Sequence, residues 1–111
     1  MNENTETLTP EAVEDQVIDV IKQIYDPEIP VNIYDLGLIY DVTVTDDFQV
    51  FVKMTLTAPN CPVAGSLPNS VRDSIQNSLQ HVKEADVEVV WEPQWNKDMI
   101  SETGLLQLGL L

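Results

Sequence analysis

From Ile39 to Leu56 apolar and polar residues alternate with a period of two, interrupted only by Asp46-Asp47. Tyr40, Val42 and Val44 fall on one side, Asp41, Thr43 and Thr45 on the other; after the aspartates, Phe48, Val50, Val52, Met54 and Leu56 alternate with Gln49, Phe51, Lys53 and Thr55. That period belongs to strands with one buried face, and the paired aspartates supply a turn, so the run predicts an antiparallel hairpin. A lone hairpin is marginal in water. The rest of the chain must therefore cover its apolar face.

Two segments have the spacing to do so. Thr9 as cap, Pro10 in the first turn and Glu11 behind it open a helix, and Val13, Val17, Ile21 and Ile24 carry it over about 10–25. Leu67, Val71, Ile75, Leu79 and Val82 mark a second amphipathic helix. Pro68 sets its start near Leu67, because an interior proline costs roughly 3 kcal/mol. Residues 86–92 return to alternation, with Val87, Val89 and Trp91 expected inward and Pro93 ending a third strand. Ser101, four leucines by residue 110 and Gly109 predict a short terminal helix. The fold class is α+β: a small, mainly antiparallel three-stranded sheet, a hairpin plus one later strand, packed by two or three helices in the order α-β-β-α-β-α. Residues 1–9, polar and acidic up to the capping threonine, read as a disordered tail before a single domain over 10–111.

Charge narrows the partners. Nineteen acidic residues against five basic ones give a net charge of −14, a field that repels phosphate backbones and anionic lipid, so neither nucleic acid nor membrane is expected. No apolar run approaches the length of a membrane span and no secretory leader opens the chain, which predicts a cytoplasmic protein. A single cysteine cannot form an intrachain disulfide, which agrees with a reducing compartment.

That cysteine is the obvious reactive group. Cys61 stands between Asn60 and Pro62, past the end of the second strand and before the second helix. Nearby backbone N–H groups and a helix dipole favour the thiolate there. A lone cysteine is as often a small buried hydrophobe; the proline-stiffened polar loop tips the balance toward a held ligand. Asp26 and Glu28, in Asp26-Pro27-Glu28-Ile29-Pro30, offer hard oxygen ligands or an acid-base pair, and equally a cap with a first-turn proline. Asp35 and Gly37 read mainly as a turn in which glycine supplies a positive φ. Thr55 and Thr57 are strand-end threonines, the second placed to steady the cysteine loop. His81 stands alone and is assigned no role, while Trp91 reads as core and Trp95 as a core lid or an interface anchor. No phosphate loop, paired CxxC or serine-histidine-aspartate set is present. One thiol also cannot complete the four-thiolate set of a cluster, so an iron-sulfur site would borrow ligands from a second subunit, a partner or a small thiol.

Three segments carry a family resemblance: DPEIPVNIYDLGLIY (26–40), MTLTAPNCPVAGSLP (54–68) and VVWEPQWNKDMISETGLLQLG (89–109). Together they resemble the SufT and PaaD family of metal-sulfur cluster assembly factors, and the SufT branch most, over nearly the whole chain from Val13. The resemblance implies an auxiliary factor in iron-sulfur cluster assembly that handles iron or a cluster transiently. Its partners would be iron-sulfur assembly proteins and client apoproteins, and it would be a carrier rather than an enzyme. Asp26, Glu28, Thr57 and Cys61 match the family's marked positions; Gln94 departs from a proline found in many relatives, which bears on that loop's rigidity. Whether Cys61 binds iron, carries a cluster or docks a client is left open by the resemblance. A metal-free adaptor presenting Trp95, the terminal leucines and an acidic face is the alternative, and a thiol redox enzyme, lacking a resolving cysteine, ranks last. A homodimer would help a one-ligand chain, although the net charge opposes it.

Overall fold

A computed structural model of the chain describes residues 9–26, 29–57 and 66–110. The expected N-terminal tail through residue 8, together with Glu28 and Cys61, lies outside the described residues.

Helix α1 (Pro10–Ile21) starts as its signals require: Thr9 Oγ1 accepts the Ala12 N–H at 3.1 Å, and Val13, Val17 and Ile21 are wholly buried. It stops short of the expected residue 25. Gln23 N–H and Ile24 N–H turn back to the carbonyls of Val20 and Ile21, and Tyr25 leaves to pair with Asn32 in an isolated antiparallel bridge. A residue before proline disfavours the helical region, so the Asp26-Pro27 step cannot prolong the helix.

Strands β1 (Ile39–Val44) and β2 (Gln49–Met54) form the hairpin in the register Val42 to Val52 and Val44 to Val50, with a bulge between Ile39 and Asp41. The turn closes with Phe48 N–H on the Thr45 carbonyl, and Phe48 has a left-handed φ of 61°. This is a type I turn completed by one left-handed residue, so the strand begins at Gln49. Phe48 still packs on the core, edge-on to His81 at 6.3 Å.

Helix α2 (Leu67–Ser78) begins where Pro68 dictates and buries Leu67, Val71 and Ile75. It carries the chain back across the sheet, so β3 (Glu84–Val89) lies on the free side of β2 and parallel to it. The order is β1-β2-β3, a mixed sheet with one antiparallel and one parallel pair. A parallel pair requires such a crossover. The last ladder bond is Val90 N–H to the Met54 carbonyl at 2.8 Å, and Trp91, expected inward, lies beyond the sheet 44% exposed. After a short 3-10 turn (Lys97–Met99), α3 (Glu102–Gln107) is capped by Ser101 Oγ on the Gly104 N–H and terminated by Gly109 at φ 76°.

Both α1 and α2 pack against one face of the sheet. The irregular segment 31–38 adds Val31, Ile33, Leu36 and Leu38, all wholly buried, to the same core. Among the described residues no helix packs on the opposite face, and its Asp41, Thr43, Phe51, Lys53, Asp86 and Glu88 are exposed. Among the described residues no helix is long and apolar enough to cross a membrane.

Candidate functional site

Because β2 and β3 run the same way, their carboxyl ends emerge at one edge, as Thr55-Leu56-Thr57 and Val90-Trp91. The chain enters the segment 58–65, which contains Cys61, from Thr57, and returns at Ser66, the cap position of α2. The thiol is thus tethered between the end of a central strand and the start of a helix. Thr57, half-buried, shares a hollow of about 350 Å³ with Leu56, Trp91, Glu92 and Gln94. Sequence reasoning placed Trp91 in the core and missed it as a wall of this hollow. The signal available was Pro93, two residues on, which already limits how far the strand can run.

Thr55 continues β2 by donating its N–H to the Leu38 carbonyl at 2.8 Å. It is wholly buried, and its Oγ1 makes no hydrogen bond. A buried hydroxyl left so costs about 1–3 kcal/mol. Beside it, the Tyr40 phenol donates to the Pro93 carbonyl at 2.6 Å and lies 3.6 Å from Met99 Sδ. Burial raises the phenol's pKa above 10; the Thr55 hydroxyl acts in the opposite direction, close enough for electrostatics though outside hydrogen-bond geometry.

The other expected residues that are described do not line this hollow. Asp26 is buried; its Oδ2 accepts the Ile29 N–H at 2.9 Å, turning the loop on itself, and its N–H reaches the Val31 carbonyl at 3.3 Å. Asp35 is occupied on both oxygens, by Asn32 Nδ2 at 2.8 Å and Ser101 Oγ at 2.9 Å. Those bonds tie the 31–38 segment to the cap of α3. Trp95 packs on the core and donates its indole N–H to the Leu36 carbonyl at 2.8 Å, the geometry of a lid. His81 Nε2 pairs with the Gln16 side-chain oxygen at 2.9 Å, bridging the end of α2 to α1. Among the described residues no three histidine, cysteine, aspartate or glutamate side chains gather as a metal site. The structure therefore brings Thr57, Trp91 and Gln94 together at the cysteine's tether, and puts Asp35 and Trp95 to structural use.

These features define a class: a small α+β domain with a mixed sheet in which the chain leaves the carboxyl end of a central strand at Thr57 and re-enters at the start of α2, with a cysteine between them in sequence. The chain belongs to the iron-sulfur cluster assembly protein family, whose model it matches over residues 14–89. It is 50% identical over 98 residues to an Fe-S protein maturation auxiliary factor of Porphyromonas gingivalis, covering 88% of this chain and 92% of that one. To the Fe-S protein maturation auxiliary factor SufT of Staphylococcus aureus it is 34% identical over 87 residues, 78% of this chain and 98% of the relative. Its fold superposes on the crystal structure of a domain of unknown function from Bacillus anthracis with a TM-score of 0.85 and 34% identity, covering 92% of this chain and 96% of that one.

Proposed function

We propose that this chain is an auxiliary factor in the maturation of iron-sulfur proteins, and that Cys61 is the thiolate through which it meets iron or a cluster in transit. The carrying observation is that β2 and β3 end at the same edge of the sheet, and that the chain leaving β2 there re-enters at the start of α2 with Cys61 between the two in sequence. Ligand sites in sheets with parallel strands favour that carboxyl edge, and a helix start favours the thiolate. The thiolate is the soft donor; Asp26 and Glu28 supply hard oxygens from a second proline-stiffened loop, and Thr57 steadies the strand end. A single thiolate cannot complete a cluster's ligand set, so the remaining ligands come from a second chain, a small thiol or the client apoprotein. The cargo is then exchangeable, and the role is transfer rather than turnover.

Anaerobic reconstitution with iron and sulfide tests the reading. Wild type should take up both, and Cys61→Ser should lose most of the uptake while melting at the same temperature; equal uptake by the two proteins removes the thiol from the site. A second reading, a metal-free adaptor, is favoured by the exposure of Trp91 beside the cysteine tether. It requires client maturation to survive Cys61→Ser and to fail with Trp91→Ala.

A further inference from the structure

The uncovered face of the sheet is a trough of alternating chemistry. Cross-strand register sets Thr43, Phe51 and Asp86 in one row and Asp41, Lys53 and Glu88 in the next, with Gln49 and Glu84 beyond the first. Carboxylates therefore line both outer strands, while the middle strand presents Phe51, an aromatic ring 43% exposed with no apolar neighbour in its row. Three hollows run together along this face. One is lined by Gln49, Phe51, Glu84 and Asp86; the next shares Phe51 and Asp86 and adds Asp41, Lys53 and Glu88. The third, of about 700 Å³, shares Asp41 and Lys53 and reaches an apolar end at Ile39, Val90, Pro93 and Met99. Five carboxylates, Glu92 at the apolar end among them, line these hollows against one amine, and α1 and α2 pack on the other face.

We propose that this face docks a basic amphipathic helix of a partner protein. Strands lie about 4.8 Å apart, so the carboxylates of β1 and β3 stand roughly 10 Å apart across β2, close to the width of a helix. A helix laid along β2 sets its apolar stripe on Phe51 and the Val90-Met99 end, and the lysines or arginines on its flanks meet Asp41 on one side and Glu84, Asp86 and Glu88 on the other. Such a helix would complete a third layer over the sheet. The charge pattern gives it speed and orientation, the aromatic centre its affinity. The inference stands apart from the Cys61 reading, because no residue of the cysteine loop takes part.

The test uses the full chain and a fluorescent, amidated helical peptide built of leucine and lysine on opposite faces, followed by anisotropy and by calorimetric stoichiometry. Asp86→Lys/Glu88→Lys on the trough is compared with Asp15→Lys/Asp19→Lys on the exposed side of α1, which changes the net charge equally. Expected are one peptide per chain, a loss of affinity of about tenfold or more in the trough variant, and less than about twofold in the α1 variant. Phe51→Ala, which leaves charge untouched, should weaken binding by about fivefold or more, and Lys53→Ala should tighten it. Asp86→Asn/Glu88→Gln repeats the measurement with near-isosteric side chains and should weaken binding in the same sense. Equal losses in the trough and α1 variants, no effect of Phe51→Ala, or no saturable binding overturns the proposal.

Discussion

Val13, Val17 and Ile21 of α1 and Val31, Ile33, Leu36 and Leu38 of the irregular segment are all wholly buried in one core, yet different physics holds the two regions. In the helix every turn repeats the same backbone bond, and the apolar stripe follows from the 3.6-residue period. In the segment the backbone groups bond one by one to differently placed partners. Ile33 N–H bonds to the Ile24 carbonyl, Leu36 N–H to Asn32, Gly37 N–H to Tyr34 and Leu38 N–H to Ile33. The Asp35 carbonyl accepts from Ser101 N–H, and that of Leu36 from the Trp95 indole. A buried loop is viable only when such accounts close, so its stability rests on single, distant residues rather than on a pattern.

The sharpest way to break the contrast is Gly37. Its φ is 89°, and a Cβ there would run into the Met99 carbonyl. Gly37→Val combines left-handed strain of about 1–2 kcal/mol with overpacking of about 1–3 kcal/mol, and should lower unfolding free energy in urea by about 3 kcal/mol or more. Gly109, at φ 76° with nothing within 4 Å of its Cβ position, is the control: Gly109→Ala bears the strain alone. Equal losses at the two glycines would mean that the segment is not locked against the 3-10 turn.

Next in size is Asp35, which joins the segment to α3. Asp35→Ala abandons the Asn32 amide and the Ser101 hydroxyl and should cost about 2–3 kcal/mol, while Ser101→Ala, losing one cap, should cost about 1 kcal/mol. If the tie is real, the double variant should fall short of the sum of the two by about 0.5–1 kcal/mol. Strict additivity in the denaturation curves would show that the carboxylate serves the two regions independently.

The same contrast explains what could be read in advance. The hairpin, the start of α2 at Leu67 and the capped terminal helix were legible, because period, proline and capping residues act within a few positions of one another. The parallel pairing of β3 was not, since alternation reveals a strand and one buried face but neither its neighbour nor its direction. Nor was the burial of Val31, Ile33, Leu36 and Leu38, whose spacing fits no regular element and which meet residues far along the chain, Trp95 at the Leu36 carbonyl and Gly104 beside Val31. At the site, the tether of Cys61 follows from its immediate neighbours, Thr57 and Ser66. Trp91 was misplaced because the alternation of 87, 89 and 91 outlasts the ladder, which ends at Val90. The burial of Thr55 depends on residues remote in the chain, and no local signal announces it.

Tyr40 gives the smallest effect and tests whether the chain returning after β3 is held in place by the phenol. Its hydroxyl donates to the Pro93 carbonyl, a bond that Tyr40→Phe deletes at a cost of about 1 kcal/mol near neutral pH. Burial raises the phenol's pKa from 10.0, so the folded state holds the proton more tightly than the unfolded state. The stabilisation is therefore complete below pH 10 and is lost as pH rises through the folded-state value above it. The stability difference between wild type and Tyr40→Phe, followed by urea denaturation from pH 7 upward, should stay level to about pH 10 and then shrink. A difference that stays constant through that range would place the phenol's titration in ordinary solvent and leave the Pro93 bond without a part in seating the returning chain against Tyr40.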